Sequence, residues 1–227
     1  MSWLMSFFRS QVGKKAVMAV SGIALFGFVL VHMFGNLKVY LGAESFNHYA
    51  EWLREIGYPL LPHSGMLWIA RVGLLAAVAI HMLSAWQVTR VSWKARPKDY
   101  EQWAPQASDY ASRTMRWGGV IIAVFVLYHL AHFTWGWSWV HPDFIVGDPY
   151  HNLVAGFSVW WVSAIYILAQ LVLGLHLSHG LWSLFQSLGW SHPRFNAWRR
   201  TFARVFALVI VVGNISFPLS VWAGWVQ

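Results

Sequence analysis

Long apolar stretches, separated by shorter polar segments, dominate the chain. Spanning a bilayer as a helix takes about 20 apolar residues, and five stretches meet that length: 16–37, 66–88, 117–137, 157–185 and 205–226. Open sheets leave backbone groups unpaired in lipid, whereas helices satisfy them internally. The pattern therefore predicts an all-α membrane protein, a bundle of five transmembrane helices that forms a single domain over residues 1–227.

Two segments differ from this simple pattern. The fourth stretch is longer than a bilayer requires, so we expect it to be tilted or to extend beyond the membrane. In the first loop, residues 44–55 carry apolar side chains at helical spacing, namely Phe46, Tyr49, Trp52 and Leu53. This spacing predicts a short amphipathic helix on the outer surface. A wall of a quinone site is the functional alternative for this segment.

The distribution of Lys and Arg predicts the orientation in the membrane. Basic residues cluster before the first span and in the second and fourth loops, whereas residues 136–156 contain neither Lys nor Arg. Because basic residues collect on the cytoplasmic side, we expect the N-terminus inside and the C-terminus outside. The membrane that we expect is the bacterial cytoplasmic membrane. The net charge of +8 has the same explanation, so we expect no nucleic-acid partner.

Composition limits the chemistry. The sequence is 58% hydrophobic and 11% charged, and it contains no Cys. Thiolate zinc sites, iron–sulfur ligation by this chain, covalently attached haem and disulfides are therefore excluded. Any metal must be held by His or carboxylate side chains, and the chain has 11 His but only eight acidic residues.

Histidine recurs within the predicted spans. Four spans carry it and the fifth does not: His32, His81, His129 with His132, and His176 with His179. A polar side chain inside a membrane is costly and is usually functional. One such residue could be an ordinary hydrogen-bonding group, but its presence in four spans indicates a shared role. Five further histidines fall in loops, where we expect them to be solvated: His48, His63, His141, His151 and His192.

The depth of each histidine divides the set into two levels. With a rise of about 1.5 Å per residue, His32 and His129 lie about 25 and 24 Å from the inner surface. His81 lies about 13 Å from it and His176 about 20 Å, or less if that helix is tilted.

These depths predict an outer pair, His32 with His129, and an inner pair, His81 with His176. Imidazole is a good ligand for haem iron, so each pair could clamp one haem b from both faces. His132 and His179 lie one helical turn from their partners and are alternative ligands at this stage.

Three arginines could contact haem propionates. Arg71 lies in the second span about 28 Å from the inner end, and its guanidinium would either bind an outer propionate or reach the outer surface. Arg113 and Arg116 lie at the start of the third span and could bind the propionates of the inner haem. Alternatively, they set the orientation of the span in the membrane and bind lipid phosphate. Candidate quinone contacts are Ser21, Arg113 and His179 near the inner face and Glu51, Glu55 and His63 near the outer face.

Several motifs carry a resemblance to a known family. These are GFVLVH at 27–32, AIH at 79–81, SRTMRW at 112–117, FVLYH at 125–129, LHLSHGLWS at 175–183 and ESFN at 44–47. Together they resemble the cytochrome b subunit of succinate:quinone oxidoreductases, in the type that has one five-helix anchor and two haems. The resemblance runs from about Gly13 to Ala223 and favours His129 over His132 and His176 over His179 as ligands.

The resemblance also implies partners. It implies a flavoprotein subunit that oxidises succinate, an iron–sulfur subunit that delivers electrons to this anchor, and a quinone acceptor, menaquinone in two-haem members. The dicarboxylate site would lie on another chain, and the whole complex could form a higher oligomer. Some fumarate-reducing relatives carry Glu two residues before the ligand of the fourth span, where this chain has Gly174. This departure favours succinate oxidation.

Other functions fit parts of the pattern. A fumarate reductase anchor, or the cytochrome b of another quinone-linked enzyme such as a hydrogenase or formate dehydrogenase, would use the same histidine arrangement. A transporter could use the histidines as proton relays, but transporters often show internal repeats and broken helices. The sequence shows no convincing repeat, and only Pro218 interrupts the end of a span.

Overall fold

The computed structural model describes residues 2–95 and 110–227, without the side chains of Ser2 and of residues 110–113. The described chain is built from helices: α1 (Ser2–Arg9), α2 (Gln11–Asn36), α3 (Ala43–Glu55), α4 (Gly65–Lys94), α5 (Tyr110–Phe133), α6 (Pro149–Ser158), α7 (Trp160–Ser187) and α8 (Asn196–Trp222). Short 3-10 turns follow α2, at Leu37–Leu41, and precede α8, at Pro193–Phe195.

Five helical segments in the described chain are long and apolar enough to cross a membrane, as the sequence predicts: Gln11–Leu41, Gly65–Lys94, Thr114–Phe133, Trp160–Ser187 and Pro193–Trp222. Exposed apolar side chains cover these helices, which is the surface expected where lipid is the solvent. The protein is therefore a multi-pass membrane protein. Several helices extend past the predicted stretches, because charged and aromatic residues at their ends continue the helix.

The bundle is assembled from pairs of neighbouring helices. α7 packs along α8, α2 along α4, and α5 along α7, while α2 also contacts α7 and α8. Apolar side chains from α2, α7 and α8 form one buried cluster around Met33, Leu177 and Ile210. A second buried cluster lies at the other end of the bundle, where Phe46, Phe157 and Phe217 meet.

The predicted helix in the first loop is present as α3. It begins at Ala43, one residue before the prediction, and ends at Glu55. Phe46 is buried and its ring contacts Tyr150, with 6.3 Å between the centroids, whereas Trp52 is half exposed. The helix is confirmed, but its predicted apolar face is only partly buried, because Trp52 belongs to that face and remains exposed.

The fourth predicted stretch, 157–185, is confirmed as one long helix, α7 (Trp160–Ser187), but it begins slightly too early, because its first residues belong to a separate short helix, α6. α6 ends at Ser158, Val159 adopts an extended conformation with φ −83° and ψ 113°, and α7 begins at Trp160. The carbonyl of Phe157, left free at the break, accepts hydrogen bonds from Ser163 Oγ at 2.8 Å and Trp222 Nε1 at 2.9 Å. A nearby serine and a distant tryptophan therefore satisfy the interrupted backbone, and the apolar run alone does not reveal these contacts.

Candidate functional site

The fold brings the outer pair of histidines together. The rings of His32 on α2 and His129 on α5 lie with their centroids 5.9 Å apart and their planes at 86°. Phe28 stacks on His32 at 5.2 Å, and Phe125 and Phe133 flank His129 at 6.0 and 5.8 Å. An Asn36 amide donates a long 3.4 Å hydrogen bond to Nε2 of His32, a contact that a metal at this nitrogen would replace.

The inner pair also meets across the bundle. His81 on α4 and His176 on α7 have ring centroids 6.3 Å apart and planes at 62°. Nδ1 of His81 donates to the Met18 carbonyl at 3.0 Å and lies 3.3 Å from Ser21 Oγ. This bond fixes the tautomer and leaves Nε2 as the nitrogen free to bind a metal.

Glycines bring backbone close to the inner rings. A Cβ at Gly22 on α2 would lie 3.4 Å from Cε1 of His81, and a Cβ at Gly119 on α5 would lie 3.7 Å from Cε1 of His176. The ring of His176 also interacts with the backbone of Met115, although its buried Nδ1 makes no hydrogen bond of ordinary geometry with the described residues. The inner rings therefore rest against helix backbone.

The two pairs lie at different levels. Gly22, which contacts His81, precedes His32 by ten residues on α2, and Gly119, which contacts His176, precedes His129 by ten residues on α5. Ten residues of helix correspond to about 15 Å. Two independent helices thus give the same separation between levels.

The arrangement fits two haems better than two bare metal ions. The described residues contain no group of three or more His, Asp or Glu side chains able to hold a metal ion, whereas a haem iron takes four ligands from its porphyrin and needs only two from the protein. An imidazole nitrogen lies about 2 Å from the metal it binds, so two rings on opposite faces of one metal have centroids about 6 Å apart, close to both observed spacings.

At each level the two histidines come from helices that are not closely packed against each other. Neither α2 with α5 nor α4 with α7 is among the closely packed helix pairs of the described chain. Each histidine pair therefore bridges two helices that are held apart. A porphyrin inserted between the rings would occupy such a space.

The geometry distinguishes His129 from His132. His132 is fully buried, its Nδ1 lies 3.0 Å from the Tyr166 hydroxyl, and its Nε2 lies against Gly156 of α6, where a Cβ would approach to 2.9 Å. No porphyrin could reach a nitrogen enclosed in this way. On the inner side, Nε2 of His179 hydrogen-bonds to Ser183 at 3.1 Å, whereas His176 faces His81.

The predicted arginines whose side chains are described stack on tryptophan rings. Arg71 is exposed on α4 and stacks on Trp68 with 5.0 Å to the ring centroid. Arg116 is exposed and stacks on Trp93 at 5.3 Å. The side chain of Arg113 lies outside the described residues. Both described guanidiniums therefore stack on tryptophans of α4.

The proposed quinone contacts are dispersed. Ser21 hydrogen-bonds to the carbonyls of Val17 and Met18 at 2.9 and 3.0 Å and touches His81, so its role in the described chain is to support that ring. Glu51, Glu55 and His63 are all exposed. A shallow cleft of about 370 Å³ lies on α3, lined by Lys38, Ser45, His48, Tyr49 and Trp52.

The expectation that His141 is solvated is wrong. His141 is buried, its ring lies 4.4 Å from that of His132, and its Nδ1 donates to the His132 carbonyl at 3.3 Å. Burial lowers the pKa of His141 below its ordinary value, so the ring is neutral. The third loop folds back onto the bundle, which its polar, aromatic-rich sequence does not reveal.

Sequence reasoning also missed Tyr166 on α7. This residue is buried, and its hydroxyl lies 3.2 Å from Nδ1 of His129 and 3.0 Å from Nδ1 of His132. The available signal was a tyrosine in the middle of a span, because a buried tyrosine hydroxyl usually finds a hydrogen-bond partner.

Comparison with known proteins gives one family. The family described as succinate dehydrogenase/fumarate reductase transmembrane subunit matches residues 92–215, which is more than half of the chain. The match includes His129 and His176 and ends before α8 does. No curated protein and no solved structure gives a significant match.

Proposed function

The chain belongs to the family of succinate dehydrogenase/fumarate reductase transmembrane subunits, and we propose that it is the cytochrome b anchor of such a complex. In this role it carries electrons from an iron–sulfur subunit through two haems b to a quinone. The observation that carries the proposal is the pair of facing histidines at each of two levels, between helices that are held apart.

His32 and His129 would hold the outer haem, and His81 and His176 the inner one. A haem b supplies one-electron redox chemistry at each level. The protein supplies the ligand nitrogens and an apolar surround. It also supplies the Met18 carbonyl, which orients His81. Arg71, and Arg113 with Arg116, remain our candidates for the propionates of the outer and inner haem.

The partners we propose follow from the family. A flavoprotein and an iron–sulfur subunit would dock at the cytoplasmic end, and the dicarboxylate would react on the flavoprotein. Basic residues near the start of α2 and of α8 support our proposal that the N-terminus lies inside a bacterial cytoplasmic membrane and the C-terminus outside. Menaquinone is the acceptor we propose.

Succinate oxidation is the direction we propose, with a fumarate reductase anchor as the second candidate. Gly174 packs so closely on α8 that a Cβ there would collide with Val211. A glutamate at this position would therefore have to displace the side chain of Val211. The chain therefore has no carboxylate where some fumarate-reducing relatives carry Glu, and this difference supports the direction we propose.

The experiment is to purify the chain from membranes in a mild detergent with its native partners. We expect a flavoprotein and an iron–sulfur subunit to co-purify, succinate to reduce both haems, and a menaquinone analogue to reoxidise them. Co-purification with formate- or hydrogen-oxidising subunits would contradict the assignment. An intact complex that turns over succinate without b-type absorbance would contradict the haem proposal.

A further inference from the structure

Two histidines share one hydroxyl at the outer level. Tyr166 Oη lies 3.2 Å from Nδ1 of His129 and 3.0 Å from Nδ1 of His132. A hydroxyl has a single proton to donate, so it cannot donate to both rings. At least one of the two Nδ1 atoms must therefore carry a proton and donate it to the tyrosine oxygen.

The proposed function decides which ring donates. If Nε2 of His129 binds a haem iron, its proton is on Nδ1, and this N–H donates to Tyr166. The hydroxyl is then free to donate its own proton to Nδ1 of His132. This direction leaves His132 with its proton on Nε2.

The surroundings hold the tyrosine in this position. Its ring makes edge contacts with Phe125 and Phe157, each with centroids 5.0 Å apart, and with Phe133 at 5.7 Å. Such packing leaves few rotamers open to a buried ring. The hydroxyl is thus directed between the two histidines by packing, independently of the hydrogen bonds it makes.

The hydrogen-bonding groups beyond His132 are consistent with this direction of the hydrogen bonds. Nε2 of His132 and Nε2 of His141 are both buried and make no hydrogen bond with the described residues. In the tautomers given above, the first is a donor, and the second is an acceptor because Nδ1 of His141 donates to the His132 carbonyl. The two rings, with centroids 4.4 Å apart, therefore present a donor and an acceptor next to each other.

Building on the haem proposal, we propose that Tyr166 is the positioning residue of the outer haem site. Its hydroxyl accepts the Nδ1–H of His129 and donates to Nδ1 of His132. The first of these hydrogen bonds fixes His129 as the ligand and makes its imidazole a stronger electron donor to the iron. His132 is the residue that orients the hydroxyl.

The test compares two tyrosine substitutions in the purified complex with its partner subunits. Tyr166→Phe removes the shared hydroxyl. Tyr128→Phe is the matched control, because Tyr128 contacts the same rings, with centroids 5.8 Å from His132 and 6.0 Å from Tyr166, while its buried hydroxyl has no hydrogen-bond partner among the described residues.

We expect Tyr166→Phe to retain both haems and to move the midpoint potential of the outer haem to a more positive value. A ligand imidazole that has lost its hydrogen-bond acceptor is less basic and stabilises ferric iron less. The inner haem and the Tyr128→Phe complex should keep their wild-type potentials in a potentiometric titration. An unchanged outer potential in Tyr166→Phe, or an equal shift in Tyr128→Phe, would overturn the proposal.

Substitutions of His132 provide an independent route if Tyr166→Phe does not assemble. His132→Gln keeps an oxygen acceptor for the hydroxyl and should preserve the outer potential, whereas His132→Leu should shift it in the same direction as Tyr166→Phe. Loss of the outer haem in His132→Leu together with its retention in His129→Leu would overturn the ligand choice. A wild-type complex without haem would instead remove the proposed function itself.

Discussion

The inner and outer histidine pairs have similar spacing but different supports. His81 and His176 rest against helix backbone, at Gly22, Met18 and Gly119. The outer pair is surrounded by side chains: Phe28 stacks on His32, while Phe125, Phe133 and Tyr166 surround His129. Behind this outer shell lie His132, His141 and α6.

The difference shows that one bundle can hold two similar sites by different means. The inner site is supported by backbone that belongs to the membrane-spanning helices themselves. The outer site depends on a loop and a short helix that return to the bundle. We therefore expect changes in the glycines to affect the inner site and changes in α6 to affect the outer site.

The largest expected effect comes from removing one ligand at each level. His81→Leu should lose the inner haem and His129→Leu the outer haem, because one remaining imidazole cannot hold a six-coordinate iron from both faces. The haem-to-protein ratio of the purified complex should fall from two to one in each variant. His63→Leu, at an exposed position, is the control and should keep two haems; loss of both haems in either ligand variant would contradict independent sites.

Gly22→Val should disturb the inner site alone. A Cβ at Gly22 is already in contact with His81 at 3.4 Å, so the added methyl groups of Val must displace the ring, at about 1–3 kcal/mol for such overpacking. We expect partial or complete loss of the inner haem, measured spectroscopically. Gly27→Val is the matched control, since a Cβ at Gly27 meets no described atom within 4 Å; equal effects of the two substitutions would contradict the backbone support.

Gly156→Ala should disturb the outer site alone. The new Cβ would lie 2.7 Å from Cε1 of His132 and 2.9 Å from its Nε2, so the ring or α6 must move. We expect a shifted outer-haem spectrum and a lower temperature of outer-haem release, while the inner haem is unchanged. The control is Gly118→Ala, whose Cβ would meet Val172 at an ordinary 3.6 Å. An inner-haem change of the same size would show that the two levels do not have separate supports.

Asp148→Ala should have the smallest effect, again confined to the outer end. Asp148 caps α6 by accepting from the His151 backbone N–H at 3.0 Å and joins it to α3 through Asn47 at 2.9 Å. Loss of an N-cap costs about 1 kcal/mol, so outer-haem release should occur at a slightly lower temperature. Asp143→Ala, at an exposed position that caps no helix, should behave as wild type.

The effect of Asp148 should also depend on pH. Hydrogen bonds from the His151 backbone and the Asn47 side chain hold the pKa of this carboxyl below its ordinary value. Its stabilisation is therefore fully present above the ordinary carboxyl pKa and is lost as the pH falls through the lowered value. The difference between wild type and Asp148→Ala should shrink in acid; a difference that grows in acid would contradict this role.

Much of the membrane architecture could be predicted from the sequence. The five spans and α3 follow from apolar length and periodicity, and these are local properties. The meeting of His32 with His129 and of His81 with His176 agrees with their depths, because a helix converts residue number directly into height. Whether these pairs bind haem stays a prediction.

The rest depends on contacts between distant residues. The break at Val159 is stabilised by Ser163 and Trp222, which lie on other turns and another helix. The burial of His141 depends on a loop conformation, and its sequence alone is equally typical of a solvated segment. Tyr166 gains its role only because α5 and α7 pack together.

The pairing itself is tested most directly by double substitutions, with haem counted in the purified complex. If His32 and His129 hold the same haem, His32→Leu combined with His129→Leu should retain one haem, as each single variant does. His32→Leu combined with His81→Leu, which affects both levels, should retain none. A within-pair double variant without haem, or a cross-level double variant with one haem, would contradict the two-pair account.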